Sequence, residues 1–225
     1  MRKRNIFVIA FLFVLACAGA DAQPPVESHS RIGVSAGMGV TYIHPGDVVD
    51  LVNSTPGAME RVPQFKAAAE FFGIANIPVS PQWSLKLEYS YVLASYNIAT
   101  VLAPAEYTLT YHLPSVILQY LLLDAGVYNV RVGGGLGYHI GVLDRKYYSE
   151  EDSYTGKGIG TVADVEANTA FGEHLYAYLG VNLRWEFVGD MKDSAGLAPG
   201  VTPSGVTPAL HLVGAGARLG FTYYF

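Results

Sequence analysis

The chain has 225 residues, a formal net charge of −5, a hydrophobic fraction of 51% and a single cysteine, Cys17. One thiol excludes an internal disulfide and a thiol-rich metal centre, and the acidic balance excludes the electrostatic footprint of a nucleic-acid binder. Past residue 22 no stretch is apolar enough for a membrane helix of roughly 20 residues, so the apolar content, with 16 Tyr and 25 Gly, must be distributed in another way.

Arg2, Lys3 and Arg4 open the chain, Ile6 to Ala16 is an uncharged apolar run, and Ala20-Asp21-Ala22 presents small residues where a signal peptidase reads. Residues 1–22 are therefore expected to be an export signal, with Gln23 as the new N-terminus. An alternative is lipidation at Cys17 within Val14-Leu15-Ala16-Cys17, although Leu15 is bulky for its place. Removal of Arg2, Lys3, Arg4 and Asp21 leaves a formal charge of −7. Residues 23–225 are expected to form one domain.

What recurs after residue 30 is a strand of alternating character followed by a short turn or a long polar loop. Residues 31–44 put Val34, Met38, Val40 and Tyr42 on one face and Arg31, Gly33, Ser35 and Thr41 on the other. Residues 45–63 hold Pro45, Gly46, Asp47, Asn53, Pro56 and Gly57 and read as a loop. Strand two, 64–77, turns at Ser80-Pro81-Gln82 into strand three, 83–96, whose faces are Trp83, Leu85, Leu87, Tyr89, Tyr91 against Ser84, Lys86, Glu88, Ser90. Strand four, 106–122, has Leu109, Tyr111 and Leu113 on one face, then Val116, Leu118, Tyr120 and Leu122 on the other, a phase change that predicts a bulge at Pro114. Strand five, 128–142, follows Asp124-Ala125-Gly126; residues 143–158 read as a charged loop; strand six covers 160–171 and strand seven 175–187. Residues 188–207 are a loop, and a closing strand runs to Phe225. The reading is all-β: an eight-stranded, antiparallel, up-and-down transmembrane β-barrel, with its short turns on one side of the membrane and its long loops on the other.

The cations sort cleanly. Arg31, Lys66, Lys86, Arg131, Arg184 and Arg218 fall on the inward register of the strands, as do Glu70, Glu88, Asp164, Glu166 and Glu186. A cation on the lipid face near the midplane costs roughly 2–4 kcal/mol, so this segregation suits a membrane wall. Eight strands enclose little more than their own side chains. With His139, these residues are expected to form an interior charge network that fills the barrel.

Catalytic, cofactor and metal motifs are weak. Gly133-Gly134-Gly135-Leu136-Gly137 lies inside an alternating strand with no helix after it. His139 with Asp164 or Glu166 could form an acid–base pair, but its same-face neighbours Gly137 and Gly141 offer no serine. His112 beside Pro114 is expected to pack or bond within the ladder. Glu150, Glu151 and Asp152 with Asp144 could hold calcium but read as a solvated acidic loop. No catalytic, cofactor or metal site is expected.

The last residues carry the most specific pattern. Arg218, Gly220, Tyr223 and Phe225 occupy the places of polar residue, glycine, aromatic and terminal aromatic in the assembly signal of outer-membrane barrels. With the export signal and the alternation, the chain resembles the small eight-stranded outer-membrane family around OmpA's membrane domain and OmpX. That resemblance implies Sec-dependent export to the outer membrane of a Gram-negative bacterium. It implies contact with outer-membrane lipids and lipopolysaccharide, and insertion by the barrel-assembly machinery with periplasmic chaperones. A monomer whose loops 45–63, 143–158 and 188–207 meet an external partner is the expected form. The alternatives are a narrow porin and a lipid-modifying enzyme.

Overall fold

The computed structural model describes residues 31–64, 66–101, 103–148, 150–199 and 208–225. The export segment with Cys17, and most of the second half of the 188–207 loop, lie outside them. Eight strands follow in order: β1 (Gly33–His44), β2 (Lys66–Pro78), β3 (Trp83–Ile98), β4 (Ala105–Asp124), β5 (Tyr128–Tyr147), β6 (Glu150–Ala170), β7 (Leu175–Val188) and β8 (Leu212–Tyr224). Each pairs antiparallel with the next, and β1 pairs with β8, closing the barrel. Closure gives every strand two ladder partners, the condition for crossing hydrocarbon without unpaired amides.

The tight connections β2–β3, β4–β5 and β6–β7 share one end. At Gly126 the chain takes a positive φ of 77°, and the Asp124 carboxylate accepts its N–H at 2.9 Å. Above this end runs a band of outward apolar side chains, including Met38, Val40, Phe71, Leu87, Leu118, Leu136, Val181, Leu219 and Phe221, all exposed. Rings edge the band near the turns, where Trp83 meets Tyr120 and Tyr223 meets Phe225, both at 5.0 Å between centroids. At its other limit the Tyr89 hydroxyl lies 2.7 Å from Nδ1 of His112 on the outer face, across the β3–β4 ladder in which His112 stands opposite Tyr91.

The phase change near Pro114 is not a bulge. The β3–β4 register runs unbroken through Tyr89↔Pro114, and the β4–β5 register is the same at His112↔Ile140 and Ser115↔Gly137. Leu109, Tyr111 and Leu113 point into the barrel beside Ser115 and Gln119, all buried. What changes at Pro114 is the sorting of the two faces. Below it outward residues are apolar and inward ones polar, as lipid outside the wall requires; above it the pattern inverts to that of a barrel wall built for water. The register irregularity lies elsewhere, between Leu121 and Leu123.

The same inversion explains why residues 143–158 are not a loop. The ladder of β5 and β6 continues from Leu143↔Tyr154 to Tyr147↔Glu150. Leu143 and Tyr154 are buried while Asp144, Lys146 and Glu151 face water. With 20, 20 and 21 residues, β4, β5 and β6 are about twice as long as the roughly 9–11 residues needed to cross lipid. They rise above the membrane as a sheet.

A helix, α1 (Gly46–Asn53), occupies the segment expected to be loop. Ser54 and Thr55 end it, their hydroxyls donating to the Leu51 and Val52 carbonyls at 2.7 Å. Val48, Val49, Leu51 and Val52 pack into the barrel mouth against a buried cluster that includes Ile43, Tyr96, Leu109, Tyr111, Met191 and Leu210. Burying each such side chain contributes about 1.5–3 kcal/mol. The Ala209 N–H donates to Asp47 at 3.1 Å, and Thr55 bonds the Tyr107 hydroxyl at 2.8 Å, tying the helix to loop and wall.

Candidate functional site

Below that apolar cluster the interior is polar, and its side chains come from every strand of the barrel. Glu88 on β3 lies at the centre. Its carboxylate accepts from Nη1 of Arg218 at 2.8 Å, pairs with Arg184, and is 3.2 Å from Nζ of Lys86. Arg218 also pairs with Glu70, which accepts the Thr41 hydroxyl at 2.6 Å. Lys86 bridges to Asp164 at 2.7 Å and to Glu166 at 3.0 Å. Gln119 donates to Asp164 at 3.1 Å and accepts from Asn76 at 2.9 Å. Arg131 is buried beside Glu166, its partner in the β5–β6 ladder. Two aromatic rings close over this set: Phe72 lies 5.1 Å from the Arg218 guanidinium, and Tyr178 5.9 Å from Lys86 Nζ.

Glycines make the room. A Cβ on Gly160 would collide with the Glu186 carboxylate and the His139 ring, and one on Gly37 would meet the backbone of β8 and the Phe72 ring. Small residues on one wall thus accept the long side chains of the other.

Two cations expected in the interior stand at its ends. Arg31 precedes β1 at the short-turn end, with Nη1 3.3 Å from Nδ1 of His174. Lys66 opens β2 at the opposite rim, with Nζ 4.3 Å from the Tyr96 ring centre. Both occupy strand ends, where the inward register opens to water and a long side chain keeps its charge solvated.

His139 is not without a serine. Ser115, from the neighbouring strand, places its hydroxyl 3.1 Å from Nε2, while Nδ1 contacts the Glu186 carboxylate. The order hydroxyl–imidazole–carboxylate is that of an acyl-transfer triad. All three residues are buried, however, His139 wholly so, beneath the apolar cluster. The row joins the packing of the interior. Ser115 is not evident from the sequence of the His139 strand, because it lies on the neighbouring strand. Ser115 stands opposite Gly137, two positions from His139 across the ladder.

At the far end of the extended hairpin the acidic run is met by cations across the ladder. Arg145 contacts Asp152 at 2.5 Å and Lys146 contacts Glu151 at 2.5 Å. A hydrogen bond from Lys146 holds the Glu151 carboxyl below its ordinary value, and the same bond raises the Lys146 ammonium. The four acids that could have held calcium do not converge: Asp144 stands opposite Ser153, and Glu150 opposite Tyr147. Tyr148 closes the turn with φ 63° and is 73% exposed. Positive φ is uncommon for a bulky residue and marks a turn held for a purpose or by its surroundings.

The residues expected to form a terminal signal divide between the faces. Arg218 enters the charge network and Gly220 stands opposite Gly37. Tyr223 stacks on His174 at 5.6 Å, and the Phe225 N–H donates to the Ile32 carbonyl at 3.0 Å.

A closed eight-stranded barrel with lipid outside, polar contacts inside and long extensions at one end is the fold of small outer-membrane proteins. Solved structures share it. The attachment invasion locus protein Ail of Yersinia pestis superposes with a TM-score of 0.55 at 10% identity, covering 87% of this chain and 99% of that one. Ail in complex with the heparin analogue sucrose octasulfate gives 0.51 at 10%, covering 87% and 98%. Neisserial surface protein A gives 0.53 at 10%, covering 86% and 97%. OprG of Pseudomonas aeruginosa gives 0.51 at 14%, covering 89% and 99%. No family model matches the sequence, and no curated protein matches it. The likeness is one of fold.

Proposed function

We propose that this chain is an integral protein of a Gram-negative outer membrane, closed through its middle, whose function lies in the surface raised above the lipid. The observation that carries this reading is the inversion along β4, β5 and β6: each strand is built for hydrocarbon in one half and for water in the other. A sheet extended this far beyond the lipid costs ordering entropy. It serves to present the hairpin tip and the segments 45–63 and 188–207 to an external partner. The interior has the other half of the work, since ion pairs below and the helix-filled mouth above oppose a continuous water path.

Ail has been crystallised with a sulfated sugar. The hairpin cations here are each matched by a carboxylate, so a polyanion is a poor fit, and the partner expected is a protein surface met by Tyr148 and its neighbours. Export by the Sec pathway with cleavage after Ala22, delivery by periplasmic chaperones and insertion by the barrel-assembly machinery through Arg218, Gly220, Tyr223 and Phe225 complete the proposal. Function as a monomer is part of it.

Orientation tests it directly. With Cys17 removed in the signal, a Tyr148→Cys variant should react with a membrane-impermeant maleimide on intact cells. A Gly126→Cys variant should react only after the outer membrane is opened. The reverse pattern would overturn the proposal.

A further inference from the structure

At the rim between β1, β2 and β3 and the segment after α1 lies a groove of about 390 Å³. Tyr42, Glu60, Arg61, Lys66, Ala67 and Tyr96 are among the residues that line it. Its height decides its meaning. Tyr42 and Ala67 are the last outward residues of the lipid-facing band on β1 and β2, so the groove opens on the plane where lipid headgroups lie. Lys66 projects over the face of Tyr96 at 4.3 Å, and Arg61 is exposed beside it. Among the described residues neither forms an ion pair, in contrast to Arg145 and Lys146 at the hairpin tip. Glu60 is the acid among the lining residues, leaving the groove a formal charge of +1.

We propose that this groove holds the phosphate of an outer-leaflet lipid headgroup, with Arg61 as a planar fork and Lys66 as a point charge. Arg and Lys bind phosphate in these two ways, and charge-assisted bonds are the stronger class. Free phosphate shares the chemistry but has no use for the apolar side of the groove. Tyr42, Ala67 and the half-buried Val62 would lie against the sugar or glycerol portion of a lipid. Phosphate bound here would also give Arg61 and Lys66 an anionic partner, which neither has among the described residues. The inference rests on the membrane reading and is independent of whether the interior is closed.

The test uses the mature protein in nanodiscs of phosphatidylcholine, with and without a phosphorylated glycolipid extracted from bacterial outer leaflets. Native mass spectrometry reports the lipid that stays bound. Retention of the glycolipid over phosphatidylcholine is expected. It should fall about tenfold in Arg61→Gln/Lys66→Gln, as loss of charge-assisted bonds implies, and be unchanged in Lys146→Gln. Inorganic phosphate should displace the glycolipid only weakly. Equal retention by the parent and the double variant would overturn the site. Saturation by inorganic phosphate without any retained lipid would overturn the lipid assignment. Heat-modifiable migration of each variant reports barrel insertion, so a failed barrel and a failed groove give different results; Arg61→Gln alone, in a loop, covers loss of folding in the double variant.

Discussion

Single side chains decide the interior. Glu88 contacts Lys86, Arg184 and Arg218, so Glu88→Ala leaves three buried cations short of a partner. Breaking buried pairs in this way costs about 3–5 kcal/mol, and urea titration of the refolded protein, followed by heat-modifiable migration, should show a loss of that size. Gly160→Val is expected to destabilise by about 1–3 kcal/mol, because the new side chain meets Glu186 and His139 and overpacking costs about that much. The inward placement of these residues was legible in the sequence, since alternation assigns every strand residue a side. The contacts were not: Ser115 beside His139 depends on register between strands, which no single strand encodes.

Elements carry the membrane boundary. On β4 the outward residues Val116 and Thr108 fall on either side of that boundary, with lipid around the first and water around the second. Val116→Lys should cost roughly 2–4 kcal/mol, while Thr108→Lys should stay within about 0.5 kcal/mol. Equal effects would place the boundary elsewhere. The hairpin tip has its own pH window. The Glu151 carboxyl is held below its ordinary value, so its contribution is present at neutral pH and is lost as pH falls through the depressed value. The Lys146 ammonium is raised, so its contribution is present at neutral pH and is lost as pH climbs through the raised value. Protease cutting at the tip should therefore increase below roughly pH 4, the ordinary carboxylate range. Glu151→Gln should weaken that dependence, with global stability unchanged. Strand number, the three short turns and the closing strand were readable from period-2 patterning. The hairpin resembles a loop in sequence because its charges interrupt the apolar alternation, whereas charge on an outward position ends only the contact with lipid. Helix α1 escaped because eight residues with a Pro-Gly entry and no side-chain cap carry less signal than the mouth that receives them.

For the molecule as a whole, two kinds of core are stacked along one axis. Within the membrane the wall turns its apolar face to lipid and fills its centre with ion pairs. Above the membrane it turns its polar face to water and fills its centre with Tyr96, Leu109, Tyr111 and the face of α1. On the proposed reading, the second core, with α1 seated in it, supports the surface that the barrel presents. Electrical recording tests this arrangement most directly. The mature protein inserted in a planar bilayer should show no stable open state, in high salt as in low. A steady single-channel current that rises with salt concentration would contradict it.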